Sequence, residues 1–270
     1  MPGIDRDQSP AALADALAQA VRDAGPIALG KFRAQVRNWT KGNDSPVCEA
    51  DIEVDQFLRT RLHDIAPEYG WLSEESVDDP ARLDAARVWI VDPIDGTRAF
   101  IAGRTDWSIA AALVENGRPI AAAIFAPASD GFFTAAKGGG ARLDNVPLDV
   151  GAGQGASVIR AAGPVRCLDA LAAPGVALQR EPKVFSLALR LARVAAGMLD
   201  VAFASANSHD WDVAAADLIL HEAGAVLTDF DGAPPVYNRA HPVHPPLIAT
   251  SNARHGEVLE LLRRQKHVPA

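Results

Sequence analysis

The chain has 270 residues, 49% hydrophobic and 22% charged, with a formal net charge of −8. That length suits one large domain or two small ones, and the composition excludes global disorder, collagen and coiled coil. The negative balance argues against binding a nucleic-acid polymer, which needs a basic field, and the two cysteines, Cys48 and Cys167, are too few for a disulfide framework or a four-ligand zinc site.

The opening MPGIDRDQSP lacks the basic start and apolar stretch of a signal peptide, and no apolar run is long enough to span a bilayer. The expectation is a cytoplasmic protein without a membrane span. Ser9-Pro10 reads as an N-cap followed by proline at the first helical position. Leu13, Leu17, Ala20 and Val21 continue that helix, which Gly25-Pro26 is expected to kink or end. A second helix runs from about Cys48 with Val54, Phe57, Leu58, Leu62 and Ile65 on one side, and Pro67 stops it. RVWIVD (87–92) reads as a buried strand. SIAAALVE and PIAAAIFA flank Asn116-Gly117, the strongest short hairpin signal, and FFTAAK and ARLDN flank Gly138-Gly139-Gly140 in the same way. The first half therefore reads as helices plus an antiparallel sheet.

After residue 150 strands and helices alternate, as in an α/β unit. SVIRAA and VAFA read as strands, and RCLDALAA as a helix. Leu187, Leu191, Val194 and Met198 mark a further helix. WDVAAADLILHEAG is a helix closed by Gly224; AVLTDF and PLIATS are strands; Ala253 to Lys266 is a final helix. The glycine-rich stretch 151–156 is the seam between two halves, an α+β half (1–150) carrying most of the acidic clusters and an α/β half (151–270) completing the site. Cys48 and Cys167 read as packing thiols.

Acidic residues cluster at element ends: Glu49-Ala-Asp51 with Asp55, Glu74-Glu75, Asp92-Pro-Ile-Asp95-Gly-Thr97, and Trp211-Asp212. The third follows a strand. Pro93 and Gly96 predict a tight turn that brings Asp95 round beside Asp92. Thr97 then starts a helical turn, RAFI, so the amides of Gly96 and Thr97 are donors for an anion. Carboxylates packed beside an anion site repel it and one another unless divalent cations intervene. An all-oxygen ligand set favours Mg²⁺, with Mn²⁺ as a substitute, over zinc. Two or three such ions can activate water and stabilise a leaving oxygen. For any single cluster, a cap or a turn is the ordinary alternative.

The turn DPIDGT, Glu74-Glu75 upstream and Trp211-Asp212 downstream resemble the inositol monophosphatase superfamily of magnesium-dependent, lithium-sensitive phosphatases, over nearly the whole chain. The resemblance implies an αβαβα layered sandwich and hydrolysis of a phosphate monoester by metal-activated water, without a covalent intermediate. It assigns metal binding to Glu74, Asp92, the carbonyl of Ile94, Asp95 and Asp212, with Asp92 bridging two metals. Thr97, oriented by Asp51, helps activate the attacking water alongside Glu74. Gly96 and Thr97 amides hold the phosphate, and Asp212 also faces substrate. Glu75 is expected to act from outside the ligand set. Dimers are frequent in that family, so the resemblance is compatible with a homodimer, while the sequence does not fix the oligomeric state.

Lys41-Gly-Asn-Asp-Ser45-Pro46-Val47-Cys48-Glu-Ala50-Asp51 is similar to the K-x-x-D-S-P-V-T-x-A-D segment of the 3′(2′),5′-bisphosphate nucleotidase (CysQ-type) branch, and Leu72-Ser73-Glu74-Glu75 to its L-S-E-E. Cys48 departs from the usual threonine. Ser205 stands seven residues before Asp212, where inositol phosphatases carry a glutamate and histidinol-phosphatases favour an acid. Arg190 falls where the nucleotidases have a lysine, and a cation there suits a second phosphate; a solvated helix face is its alternative. Phe185-Ser186 stands near an expected Gly-Ser and implies a reshaped pocket. The reading is therefore a phosphoric monoester hydrolase acting on adenosine 3′,5′-bisphosphate. Its alternatives are an inositol, histidinol or other sugar phosphatase, or a catalytically idle member that binds an anion or a partner.

Overall fold

The structure, a computed structural model, describes residues 9–41, 45–129, 131–153, 158–172 and 175–264. Helix α1 spans Pro10–Lys31, with the Ser9 hydroxyl accepting from the Ala12 amide. It continues through Gly25-Pro26 and does not end there. An internal proline costs about 3 kcal/mol. Here Leu13, Leu17 and Val21 are fully buried, each worth about 1.5–3 kcal/mol. Gly25 faces the sheet so closely that a Cβ would meet the Phe125 ring at 2.3 Å. The helix continues because its glycine lets the backbone press against the strand below, and that burial offsets the proline.

A short hairpin, β1 (Asn38–Lys41) and β2 (Ser45–Cys48), leads into α2 (Glu49–Ile65). The first large sheet comprises β3 (Gly70–Ser73), β4 (Arg87–Asp95), β5 (Ser108–Glu115), β6 (Arg118–Ala126), β7 (Gly131–Ala136), β8 (Gly140–Leu143) and β9 (Val146–Pro147), in that spatial order. Asn116 (φ 51°) and Gly117 (φ 72°) make the expected tight turn between β5 and β6. The sheet is not wholly antiparallel: β3, a strand missing from the sequence reading, pairs with β4 in parallel. Alternation divides β5 cleanly. Ile109, Ala111 and Leu113 face α1 and α2, while Ala110, Ala112 and Val114 face the opposite layer. The alanines let helices approach both faces.

The second sheet takes β10 (Val158–Ala162), β11 (Ala177–Arg180), β12 (Val201–Ala204), β14 (Ala225–Asp229) and β16 (Leu247–Ser251) in the order β11-β10-β12-β16-β14. A two-residue pair, β13 (Ser208–His209) with β15 (Val243–His244), stands apart. Helices α5 (Leu187–Ala195) and α6 (Asp210–Glu222) lie between the two sheets. Val213, Leu218 and Ile219 of α6 share one apolar cluster with Ile90 and Ala112 below and Leu227 and Ala249 above. Helices α4 (Val165–Leu171) and α7 (Asn252–Arg264) cover the far side of the second sheet through Leu168, Leu171, Val258 and Leu262. The layers therefore run helix pair, sheet, helix pair, sheet, helix pair, which is the αβαβα sandwich.

Met198 is not part of α5, which ends at Ala195; Gly197 (φ 65°) turns the chain and leaves Met198 half exposed. Of the glycine-rich 151–156, residues 154–156 lie outside the described residues, as do the last two of the expected final helix. Among the described residues, no helix is long and apolar enough to cross a membrane.

Candidate metal and phosphate site

Strand β4 delivers two carboxylates to one place. Asp92 lies opposite Ala110 and Asp95 opposite Ser108, so three steps on β4 match two on β5. In a regular strand, residues three apart point to opposite faces; the extra residue cancels that inversion. The expected tight turn is thus a β-bulge within the strand. Gly96 follows with φ 91°, and a Cβ there would sit 3.0 Å from the Ser186 amide. Only glycine combines that left-handed backbone with so close an approach. The five-residue helix α3 (Thr97–Ile101) starts immediately after it.

Asp212 arrives on the first turn of α6, where its Oδ2 accepts from the His209 amide at 2.6 Å. Asp92, Asp95 and Asp212 each offer an oxygen within 4.8 Å of the other two. Asp92 Oδ1 is buried without a hydrogen-bond partner among the described residues. Asp95 is held by the Ser186 hydroxyl (2.6 Å) and the amides of Leu187 (3.0 Å) and Ala188 (2.6 Å). Glu74 leaves the end of β3, its amide donating to Val91 O, and lines the same cavity. The Ile94 carbonyl oxygen lies 3.0 Å from Thr97 Oγ1.

Burial and mutual repulsion lift these acids. Asp92 and Asp95 sit above the ordinary carboxylate range, chiefly through burial. Burial pushes Asp212 up to about 7 with help from the charge of Asp95, and Glu74 up to about 8 against the opposing pull of Lys41. Four carboxylates so placed resist full ionisation unless cations neutralise them. The oxygen-only donors and the orphaned Asp92 oxygen fit Mg²⁺ or a similar hard cation. Glu75 turns instead to Lys41, 2.5 Å away.

Asp51 is fully buried on the first turn of α2. Its Oδ1 accepts the Thr97 hydroxyl at 3.0 Å. Its Oδ2 accepts from the Cys48 amide at 2.9 Å and the Cys48 thiol at 2.8 Å. Burial, reinforced by the Asp51 charge, pushes the Cys48 thiol up to about 12, so it stays protonated and donates. The packing reading holds for Cys167, set among Leu168, Leu171 and Phe203, but is incomplete for Cys48. Asp55 belongs elsewhere: it receives the hydroxyls of Ser73 and Ser76 and ties that loop to α2.

Arg190 does not lie on a solvated helix face. It is largely buried in the cavity wall, its Nη1 donating to Phe203 O at 3.2 Å, and its Nε has no partner among the described residues. Burial lowers its pKa while the charges of Asp95 and Asp212 oppose that shift. The cavity measures about 940 Å³ and also takes in Gly96, Thr97, Lys183, Phe185 and Ser205. Lys183 Nζ and Arg104 Cζ lie 4.5 and 4.9 Å from the centre of the Phe185 ring. Sequence reasoning missed Ser186 as the partner of Asp95. Its signal was a serine opening an apolar helix, where it also caps the Leu189 amide. It also missed the buried pair of His244 Nε2 and Asp210 Oδ1 at 2.8 Å, which packs the segment at 243–244 against the start of α6.

The sequence model of the inositol monophosphatase family matches residues 9–267. An inositol-1-monophosphatase of Rhizobium meliloti is 34% identical over 82% of this chain and 86% of its own length. A histidinol-phosphatase of Mycobacterium tuberculosis is 32% identical over 93% and 96%. A 3′-phosphoadenosine 5′-phosphate phosphatase of Mycobacterium bovis is 31% identical over 84% of both chains. Among solved structures, the extragenic suppressor protein suhB of Bartonella henselae superposes with a TM-score of 0.80 at 27% identity, covering 94% of this chain and 99% of that one.

Proposed function

The chain belongs to the inositol monophosphatase family of metal-dependent phosphatases, and on that premise we propose that it removes the 3′-phosphate of adenosine 3′,5′-bisphosphate as a 3′(2′),5′-bisphosphate nucleotidase. The observation that supports this substrate is Arg190. A buried guanidinium with an unused Nε–H stands in the cavity wall beside the acids, and Ser205, not a carboxylate, lines the same cavity. Arg190 in this wall favours a second anionic group, and Ser205 offers no acid at its position to grip the hydroxyls of a polyol. The cavity volume, about 940 Å³, accommodates a nucleotide.

In this proposal Glu74, Asp92, the Ile94 carbonyl, Asp95 and Asp212 hold two or three Mg²⁺ ions. When bound, the cations neutralise the carboxylates, polarise the phosphoryl group and make water a better nucleophile. Asp51 takes the Thr97 proton, leaving the Thr97 lone pairs to orient the attacking water. The Gly96 and Thr97 amides cradle the phosphate undergoing hydrolysis, Asp212 also faces substrate, and Arg190 holds the second phosphate. Residues 1–150 and 151–270 form the two halves that close on this site.

The second reading is hydrolysis of an inositol or histidinol phosphate, which the identities of 34% and 32% to such relatives favour. A panel of kcat/KM values decides between them. We expect adenosine 3′,5′-bisphosphate to exceed inositol 1-phosphate and histidinol phosphate; the reverse order overturns the nucleotidase reading.

A further inference from the structure

A carboxylate taken out of water needs its lone pairs filled. Fully buried Asp51 meets that need with three donors: the Thr97 hydroxyl on Oδ1, and the amide and thiol of Cys48 on Oδ2. The amide alone fixes where Oδ2 sits but leaves the carboxylate free to swivel about it. A second donor on the same oxygen sets the plane of the group, and with it the position of Oδ1. That position matters because Thr97 has one hydroxyl proton and two acceptors at equal distance, Asp51 Oδ1 and the Ile94 carbonyl, both at 3.0 Å. A swivelled Asp51 surrenders the proton to Ile94. The carbonyl oxygen is then occupied, and the Thr97 lone pairs point elsewhere.

We propose that Cys48 is a positioning residue for catalysis: its thiol locks the Asp51 carboxylate so that the Thr97 proton stays on Asp51 and the Ile94 carbonyl stays free. Cys48 touches neither substrate nor metal and acts only through Asp51. The inference rests on Thr97 and Asp51 serving the attacking water as proposed above.

The test compares Cys48→Ala, Cys48→Ser, Cys48→Thr and Thr97→Val in the full chain, with one phosphate monoester that the wild type hydrolyses and saturating Mg²⁺. Removing the thiol donor is expected to lower kcat about tenfold, the scale of one hydrogen bond to a charged group. KM should stay within about twofold, since no group that meets substrate is altered, and the Mg²⁺ midpoint should rise, since the Thr97 proton then occupies the Ile94 carbonyl. Serine and threonine should restore kcat to within a few-fold. The infrared S–H stretch gives a readout independent of turnover. The Cys48 band should lie below that of Cys167, which sits in an apolar cluster, and should vanish in Cys48→Ala. Thr97→Val separates the two levels of the argument. If it keeps wild-type kcat, the reading of Thr97 fails and the inference falls with it. If it loses kcat while Cys48→Ala does not, the inference alone is wrong. Failure of folded serine and threonine variants to recover also overturns it, as does a wild-type Cys48 band coincident with that of Cys167. Should Cys48→Ala not fold, the serine variant and the wild-type band decide.

Discussion

Ser186 grips Asp95 across ninety-one residues of sequence, its hydroxyl donating to Oδ2 at 2.6 Å. The same hydroxyl accepts from the Leu189 amide, and it lies 2.9 Å from the Ser108 hydroxyl. The first turn of α5 therefore orients a carboxylate presented by β4. Asp95 is aimed by these donors independently of any cation.

From this follows an expected metal phenotype. Ser186→Ala should raise the Mg²⁺ concentration for half-maximal activity by about tenfold, since a hydrogen bond to a charged group is worth about 1.5–3 kcal/mol. Maximal kcat should change less, because excess Mg²⁺ refills the site. The lost cap should also lower stability by about 1 kcal/mol. A Mg²⁺ titration of activity that matches the wild type would show that Asp95 needs no such support.

Asp92 is the acid whose Oδ1 has no partner among the described residues. Asp92→Asn keeps its shape and removes its charge. If Asp92 bridges two cations, turnover at saturating Mg²⁺ should fall on the order of 10³-fold or more. Glu75, paired with Lys41 at 2.5 Å, should tolerate Glu75→Gln with a smaller loss. Near-normal turnover of Asp92→Asn at saturating Mg²⁺ would overturn the metal assignment.

Much of this arrangement was legible in the chain because its causes are local. Asn116-Gly117 specifies its turn through backbone preference alone. The stop at Pro67 is likewise written within a few residues. The acids at 74, 92, 95 and 212 were legible as candidates because they stand at element ends, and the structure brings them to one cavity. What escaped depends on distant partners. The bulge at Asp92–Asp95 exists only in register with β5. The continuation of α1 through Pro26 depends on Gly25 meeting Phe125, one hundred residues away. Ser186 could be read as a cap, but nothing local points to Asp95. A cysteine reads as a small apolar filler, and only the fold shows the Cys48 thiol turned to Asp51.

The raised acids also make stability depend on pH, with a definite sign. Glu74 at about 8 and Asp212 at about 7 lie above their unfolded values near 4. The metal-free native state therefore holds protons that the unfolded chain has released, and stability falls as pH rises through these values. Calorimetry in a chelator should show Tm declining between about pH 6 and 8.5. Mg²⁺ should counter the decline, raising Tm more at pH 8 than at pH 6, because at the lower pH protons compete for the same oxygens. A metal-free Tm that climbs with pH over this window would contradict the buried, repelling acid cluster.

The proposed substrate choice turns on Arg190 and Ser205. Ser205 brings no negative charge to the cavity, whereas Arg190 brings a positive one with Nε unsatisfied. A phosphate oxygen that reaches this N–H gains a charge-assisted hydrogen bond and relieves a buried unpaired donor. The gain, about 1.5–3 kcal/mol, corresponds to roughly ten- to a hundredfold in rate. Arg190→Ala should lower kcat/KM for adenosine 3′,5′-bisphosphate by that factor. It should change kcat/KM for inositol 1-phosphate little, because a single phosphate leaves nothing for the guanidinium to hold. Arg190 also lies near Asp95 and Asp212 and offsets part of their repulsion. Any change in metal binding on its loss is shared by both assays at saturating Mg²⁺. The ratio of the two kcat/KM values removes that shared damage, together with any loss of folded protein. A ratio unchanged by Arg190→Ala would take the second phosphate away from Arg190 while leaving the metal-dependent phosphatase in place.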